Sequence, residues 1–254
     1  MVSIAERRKV ILEQVNREGY AKVSELARLL NVTPATIRKD LRILEDHKLL
    51  LRAHGSAMPP VTQVRDVSIH AKKPINYGLK QRIGAAACQL IDENDSIIIA
   101  SGSTMTVFAE SIRPAGHLNV VSPSINISML FGENPNVTLM QLGGVIYGNS
   151  LSVRGEPAVS ELRNLFCSKL FFGVDGFSLE NGLTCSTIEE ANFTQHMMHA
   201  VSRSIVLADS TKVGRLGFGR ICALEDVDVL VTDSGIPDKI RQDIEAMGVE
   251  VIVA

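Results

Sequence analysis

Between Ser96 and Ala254, seven short apolar runs alternate with amphipathic stretches, and this alternation restricts the fold more than any other feature. The runs are SIIIAS (96–101), NVVS (119–122), VTLMQL (137–142), KLFFGVD (169–175), SIVLAD (204–209), VDVLVTD (227–233) and VEVIVA (249–254). Helical patterns such as KQRIGAAACQLI (80–91), TVFAESI (106–112) and PDKIRQDIEAMG (237–248) fall between them. A strand that is apolar at nearly every position must be covered on both faces. The pattern therefore predicts an α/β domain with a buried, mostly parallel sheet.

The N-terminal part has a different texture. Residues 3–49 carry helical periodicity and no strand-like run. Residues 58–78 lose any clear period and contain three prolines, which predicts a linker. Three parts are expected: a helical domain over 1–57, a linker over 58–78, and an α/β domain over 79–254. Charge follows the same division. Residues 1–57 hold 11 Lys/Arg against 7 Asp/Glu, a net +4, while the remainder carries −6. A basic piece on an acidic body points to a polyanionic partner for the basic piece.

Residues 23–58 say what that partner is. Ser24 is a candidate N-cap for a short helix ending near Leu30, and Asn31-Val32 form a tight turn. Thr33 caps a second helix with Pro34 at its first position. Ile37, Leu41 and Leu44 make its core-facing stripe. The opposite face offers Ala35, Thr36, Arg38, Lys39 and Arg42. Arg38 and Arg42 share a face and can reach guanine edges or phosphates in the major groove. Thr33 and Thr36 can grip phosphate at the helix start. The stretch LLLRAHGSA then reads as a β-hairpin bearing Arg52 and His54 toward the sugar-phosphate backbone. Helix, turn, Thr-Pro start and wing together favour double-stranded DNA over an ordinary solvated basic face.

These residues, VSELARLLNVTPATIRKDLRILED followed by LLRAHGSA, resemble the winged helix-turn-helix of the DeoR family of bacterial transcription regulators. The sequence departs from that family at Lys48 and at Ser56, where glycine is usual.

Four glycine-polar clusters sit at ends of the apolar runs: ASGSTMT, LGGVIYGNS, FFGVDGFSLENGLT and LADSTKVGRLGF. In open α/β sheets, ligands bind outside the carboxyl ends of the strands. A helix start after a Gly/Ser/Thr turn favours an anion. The set predicts a small, anionic, hydroxyl-rich ligand held by Ser101, Gly102, Ser103, Thr104, Thr106, Gly143, Gly144, Asn149, Asp175, Gly176 and Lys212. This half also resembles the DeoR-family sensor domain, which is similar in fold to ribose-5-phosphate isomerase A. The resemblance implies that Ser101–Thr104 cradle a phosphate and that Asp175 and Lys212 approach a sugar or polyol. Glu189 or Glu190 lies where the isomerases carry an acid/base glutamate, and Glu189 is carried into the expected site. Where the family usually has Asp, this chain has Ser101.

The implied protein is a DNA-binding regulator. It is expected to repress a carbohydrate-catabolism operon, to respond to a phosphorylated sugar or polyol, and to form at least a dimer. The alternative is a sugar-phosphate isomerase-like enzyme with a DNA-binding appendage. Isomerisation needs a placed base and an electrophile. The isomerase acid is replaced by Ser178, and no lysine follows in the glycine segment ENGLT. No catalytic residue, metal or cofactor is therefore expected. His196 and His199 have no partner ligand at metal spacing, and Cys88, Cys167, Cys185 and Cys222 are too scattered for a zinc site or a disulfide framework. No run is long enough to span a bilayer, and charges occupy the place of a signal peptide's apolar core, so the chain is expected in the cytoplasm.

Overall fold

The computed structural model describes residues 3–18, 21–47, 49–53, 55–58 and 66–254. The N-terminal domain comprises α1 (Ile4–Glu18), β1 (Ala21–Lys22), α2 (Val23–Leu29), α3 (Pro34–Asp46), β2 (Leu51–Ala53) and β3 (Ser56–Met58). Its strands form a small antiparallel sheet of order β1-β3-β2, with Arg52 opposite Ala57 and Lys22 opposite Ser56. Ile37, Leu41 and Leu44 pack on Ile11 and Val15 of α1 and on Leu26 of α2, all essentially sealed from water. Each such side chain contributes about 1.5–3 kcal/mol by leaving water. The α2–α3 turn closes through Asn31, whose left-handed φ of 51° suits that residue type. Helix α2 begins at Val23, so its cap falls two residues before the expected Ser24. Lys22 takes the cap position, and the Glu25 carboxylate accepts the Lys22 N–H at 3.4 Å.

The body starts with α4 (Ile69–Lys72) and α5 (Tyr77–Cys88) and continues through β4 (Ser96–Ile99), α6 (Ser103–Ser111), β5 (Leu118–Ser122), α7 (Ile125–Phe131) and β6 (Val137–Gln141). A hairpin follows, β7 (Val145–Tyr147) and β8 (Ser152–Arg154), then α8 (Glu156–Leu162) and β9 (Cys167–Gly173). The chain ends with β10 (Gly176–Ser178), β11 (Gly182–Cys185), α9 (Ile188–His199), β12 (Val201–Leu207), β13 (Gly219–Cys222), β14 (Val229–Thr232), α10 (Asp238–Ala246) and β15 (Glu250–Val253).

All seven apolar runs are strands of one sheet, ordered β15-β14-β12-β9-β4-β5-β6, with every neighbouring pair parallel. Both faces are covered. Ile98, Leu170, Phe172 and Val206 face one core with α8, α9 and α10. Ile97, Ile99, Phe171 and Ile205 face the other with α5, α6 and α7. Alternate residues of each run therefore serve different cores, which is why the runs show no polar side. Strands β10, β11 and β13 form a separate antiparallel sheet.

The stretch expected to be a linker over 58–78 differs from that expectation. Its residues 66–78 belong to the body: Ile69 is buried, and α4 and the start of α5 pack at the carboxyl end of the sheet. A four-residue helix is too short to display a period, so the sequence pattern hid it.

Candidate functional site

The DNA-facing surface is built on α3. Thr33 Oγ1 accepts the Thr36 N–H at 3.2 Å and lies 3.0 Å from Thr36 Oγ1, so the cap occupies one first-turn donor. Pro34 follows at the first helical position. Thr33, Pro34, Ala35, Arg38, Lys39 and Arg42 are exposed and Thr36 is half-buried. The side chains of Arg38, Lys39 and Arg42 have no ion-pair partner among the described residues. Arg52 is exposed, but its Nε sits 2.5 Å from Glu45 Oε2 and its N–H donates to Glu45 Oε1. Those hydrogen bonds hold the Glu45 carboxyl below its usual range. His54 and Lys48 lie outside the described residues.

Asp40, which the motif reading passed over, ties this surface to α1. It is 2% exposed and accepts from Arg7 Nε at 2.5 Å and Arg8 Nε at 3.0 Å. Burial pushes its carboxyl up, yet the two arginines outweigh that and hold it below the ordinary value. The signal was available: Asp40 directly precedes the core residue Leu41, on the buried side of α3.

In the body, the chain runs β4, β5, β6 toward one edge and then returns to place β9 on the other side of β4. The sheet reverses its order there, and a crevice opens outside the strand ends at such a point. A cleft of about 760 Å³ occupies it. Ser101–Met105 line it from the β4–α6 turn, Gly173–Asp175 from the end of β9, and Asp209, Thr211 and Lys212 from the end of β12. Gly102 caps α6 at φ 131°, a conformation that L side chains rarely adopt, and it offers no side chain to fill the cap. The first intrahelical bond is Thr106 N–H to Gly102 O, which leaves the amides of Ser103, Thr104 and Met105 without helical acceptors.

Charges converge on the same space. The Lys212 ammonium has no hydrogen-bond partner among the described residues. Burial depresses its pKa although Asp175 and Asp209 draw it up. Lys80, 4% exposed, donates to the carbonyl of Lys72 at 2.6 Å, and burial lowers it to about 8. Asp175 Oδ1 accepts from Lys72 Nζ at 2.8 Å and Oδ2 from the Ser186 N–H at 3.0 Å. Asp209 accepts from Asn76 Nδ2 at 3.3 Å and from the Thr211 N–H at 3.1 Å. Glu190 borders the cleft 3.6 Å from Arg154; burial raises its pKa, and Arg154 pulls against that.

The expected ligand residues do not all meet. Ser101, Gly102, Ser103, Thr104, Asp175 and Lys212 line the cleft. Thr106 does not, because its hydroxyl is spent on Gly102 O at 3.1 Å. Gly143 and Gly144 follow β6, the sheet edge two strands from β4, roughly 10 Å away at ordinary strand spacing. Asn149 instead binds Asp66 through its side chain at 2.9 Å. Gly176 serves backbone packing: a β-carbon there would meet Arg215 O at 2.2 Å. Glu189 is exposed, and Glu190 is the glutamate on the cleft. Sequence reasoning missed Lys72, Asn76 and Lys80, which come from the segment read as linker and from α5; the signal for the first two was the charged AKKPIN stretch (71–76). Ser178, at the isomerase acid position, accepts from Asn181 N–H at 3.1 Å and braces a turn. Among the described residues no cluster could hold a metal ion, and the four cysteines are unpaired. No helix among them is long and apolar enough to cross a membrane.

A winged helix-turn-helix joined to an α/β body with a polar cleft at its switch point is the architecture of a ligand-responsive transcriptional regulator. Residues 7–62 match the model of the DeoR-like helix-turn-helix domain, and residues 75–234 match that of the DeoR C terminal sensor domain. An uncharacterized HTH-type transcriptional regulator of Bacillus subtilis, YulB, is 31% identical, covering 92% of this chain and 90% of that one. The lactose phosphotransferase system repressor of Streptococcus mutans is 30% identical, covering 93% and 95%. The solved ribose 5-phosphate isomerase A of Methanocaldococcus jannaschii is similar over 54% of this chain and 55% of that one, at 16% identity and a TM-score of 0.39. The chain belongs to the DeoR family of transcriptional regulators. It is a DNA-binding transcriptional regulator.

Proposed function

We propose that this protein represses a carbohydrate-catabolism operon and that a phosphorylated sugar or polyol in the cleft lowers its affinity for operator DNA. The observation that carries the reading is the gathering, within one cleft, of groups suited to an anion and of carboxylates suited to hydroxyls. The amides of Ser103–Met105, which have no helical acceptors, the α6 dipole and Lys212, whose ammonium has no hydrogen-bond partner among the described residues, suit a phosphate. Asp175, Asp209 and Glu190 offer carboxylate acceptors to sugar hydroxyls. A relative named for a lactose phosphotransferase system supports the carbohydrate part.

On the DNA side, Thr33–Thr36 grip phosphates while Arg38, Lys39 and Arg42 enter the major groove, with Arg52 on the flanking backbone. Readers of this kind pair symmetric half-sites, so the protein acts in the cytoplasm as at least a dimer, joined through its sensor domain.

The test is a thermal-shift screen of hexose and pentose phosphates and polyol phosphates, since a ligand that binds the native state raises its apparent stability. Stabilising compounds are then titrated against DNA binding at fixed salt. Stabilisation by a sugar phosphate that the free sugar fails to reproduce supports the reading. A screen in which no sugar phosphate stabilises the protein refutes it.

A further inference from the structure

Residues 66–73 form a strap over the cleft that the sensor reading does not use. Asn149 holds its start, through Nδ2 to Asp66 at 2.9 Å and through its carbonyl to the Ile69 N–H at 2.7 Å. Ile69 is buried in the body. Lys73 Nζ sits 2.6 Å from Glu110 on α6, the helix whose first turn lines the cleft. Lys80 Nζ gathers the carbonyls of Lys72 and Lys73 at 2.6 and 3.5 Å. In the middle, Lys72 reaches 2.8 Å into the cleft to Asp175, a residue 103 positions away.

Two facts about this strap matter together. It closes one wall of the cleft on a carboxylate suited to sugar hydroxyls. It is also the part of the body nearest in sequence to the wing, since only seven residues separate Met58 from Asp66. A group that fills the cleft and takes Asp175 therefore meets the part of the body nearest in sequence to the wing.

We infer that Lys72 is the coupling residue between the cleft and the DNA-binding domain: it pairs with Asp175, and a bound sugar phosphate displaces it and loosens the strap. The inference rests on the sugar-phosphate reading of the cleft. Ligand hydroxyls donate to Asp175 Oδ1 in place of the Lys72 ammonium. The strap then loses its one tie to Asp175, while the Asn149 contacts, Ile69, the Lys73–Glu110 pair and the Lys80 bonds to its carbonyls remain. A segment held by few contacts opens more readily. The closed strap favours the DNA-binding arrangement, so the ligand's preference for the open strap appears as lost DNA affinity. Reciprocity requires operator DNA to weaken ligand binding by the same factor.

The experiment uses the full chain, a duplex that the wild-type protein selects from a random-sequence pool, and hexose 1- and 6-phosphates and pentose 5-phosphates as probes, with inorganic phosphate as control. Wild type, Lys72→Met and Lys72→Arg are compared. In wild type, the stabilising probe should weaken DNA binding by about tenfold or more. Lys72→Met should bind DNA weakly without any probe, near the level of liganded wild type. Its Tm should still rise with the probe, but its DNA affinity should change by no more than about twofold, and Lys72→Arg should restore the response. A Lys72→Met protein that keeps the full wild-type response overturns the strap and leaves the effector reading intact. If no probe shifts the Tm or the DNA affinity of wild type, the effector reading itself falls and the strap falls with it. Hydrogen exchange of wild type gives a readout that needs no variant: amides of Ile69–Lys73 should exchange faster with probe bound, and unchanged or slower exchange overturns the inference.

Discussion

Asp40→Ala removes the carboxylate that ties the recognition helix to α1. Asp40 accepts one charge-assisted hydrogen bond from each of Arg7 and Arg8, and such bonds contribute about 1.5–3 kcal/mol each. The Arg7 and Arg8 side chains are 12% and 29% exposed and regain water once the acid is gone, which discounts the sum. The net loss is about 2–3 kcal/mol. In a domain this small, each kcal/mol moves Tm by about 4–8 °C, so the transition should fall by roughly 10–20 °C. Asp40→Asn keeps an acceptor without the charge and should lose about half as much. Calorimetry on the full chain measures the shift, and hydrogen exchange of the Ile37–Leu44 amides assigns the transition to the N-terminal domain. The pH dependence gives the same reasoning a sign. The folded carboxyl is held below its ordinary 3.8, so its stabilisation is present above that value and fades as pH falls through the lower folded one. Asp40→Asn should lack that slope. A Tm shift below about 2 °C for Asp40→Ala would refute the claim that this pair holds α3 in place.

Three other perturbations follow from the geometry. Arg38→Ala and Arg42→Ala should each weaken operator binding by about 1–3 kcal/mol and leave Tm unchanged, read by fluorescence anisotropy at fixed salt; unaltered affinity removes them from the base-reading face. Lys80 is cationic below about pH 8 and neutral above it, because burial lowers its pKa, whereas a phosphate monoester stays dianionic above about pH 7. Sugar-phosphate affinity by calorimetric titration should therefore fall from pH 7 to 9, and Lys80→Met should flatten that profile; an equal slope in both proteins rules Lys80 out. Gly176→Ala places a carbon 2.2 Å from Arg215 O, and the backbone shift it forces should lower the sensor's Tm by an amount equivalent to about 1–3 kcal/mol and reduce stabilisation by ligand. An unchanged Tm would show that the close approach relaxes freely.

Some of this architecture follows from local chemistry. The seven strands were legible because burial on both faces writes an apolar residue at nearly every position, and the helix-turn-helix was legible because a cap, a proline and a 3.6-residue stripe are properties of neighbouring residues. The switch-point turn at Ser101–Thr104 belongs to the same group, since a strand end, a glycine and a helix start lie within a few residues. The order of the strands does not follow from local chemistry. It decides that the β6 end, with Gly143 and Gly144, lies away from the cleft while the β4, β9 and β12 ends converge. Helix phase chose Glu190 over its neighbour Glu189, and only packing of α9 against the sheet set that phase. Asp40 became a buried tie only when α1 delivered two arginines across more than thirty residues. Lys72 met Asp175 only because α4 folds back over the sheet. Pattern along a chain records the periodicity of burial within one element. Contacts between side chains far apart in sequence depend on how elements stack, and no local period carries that information.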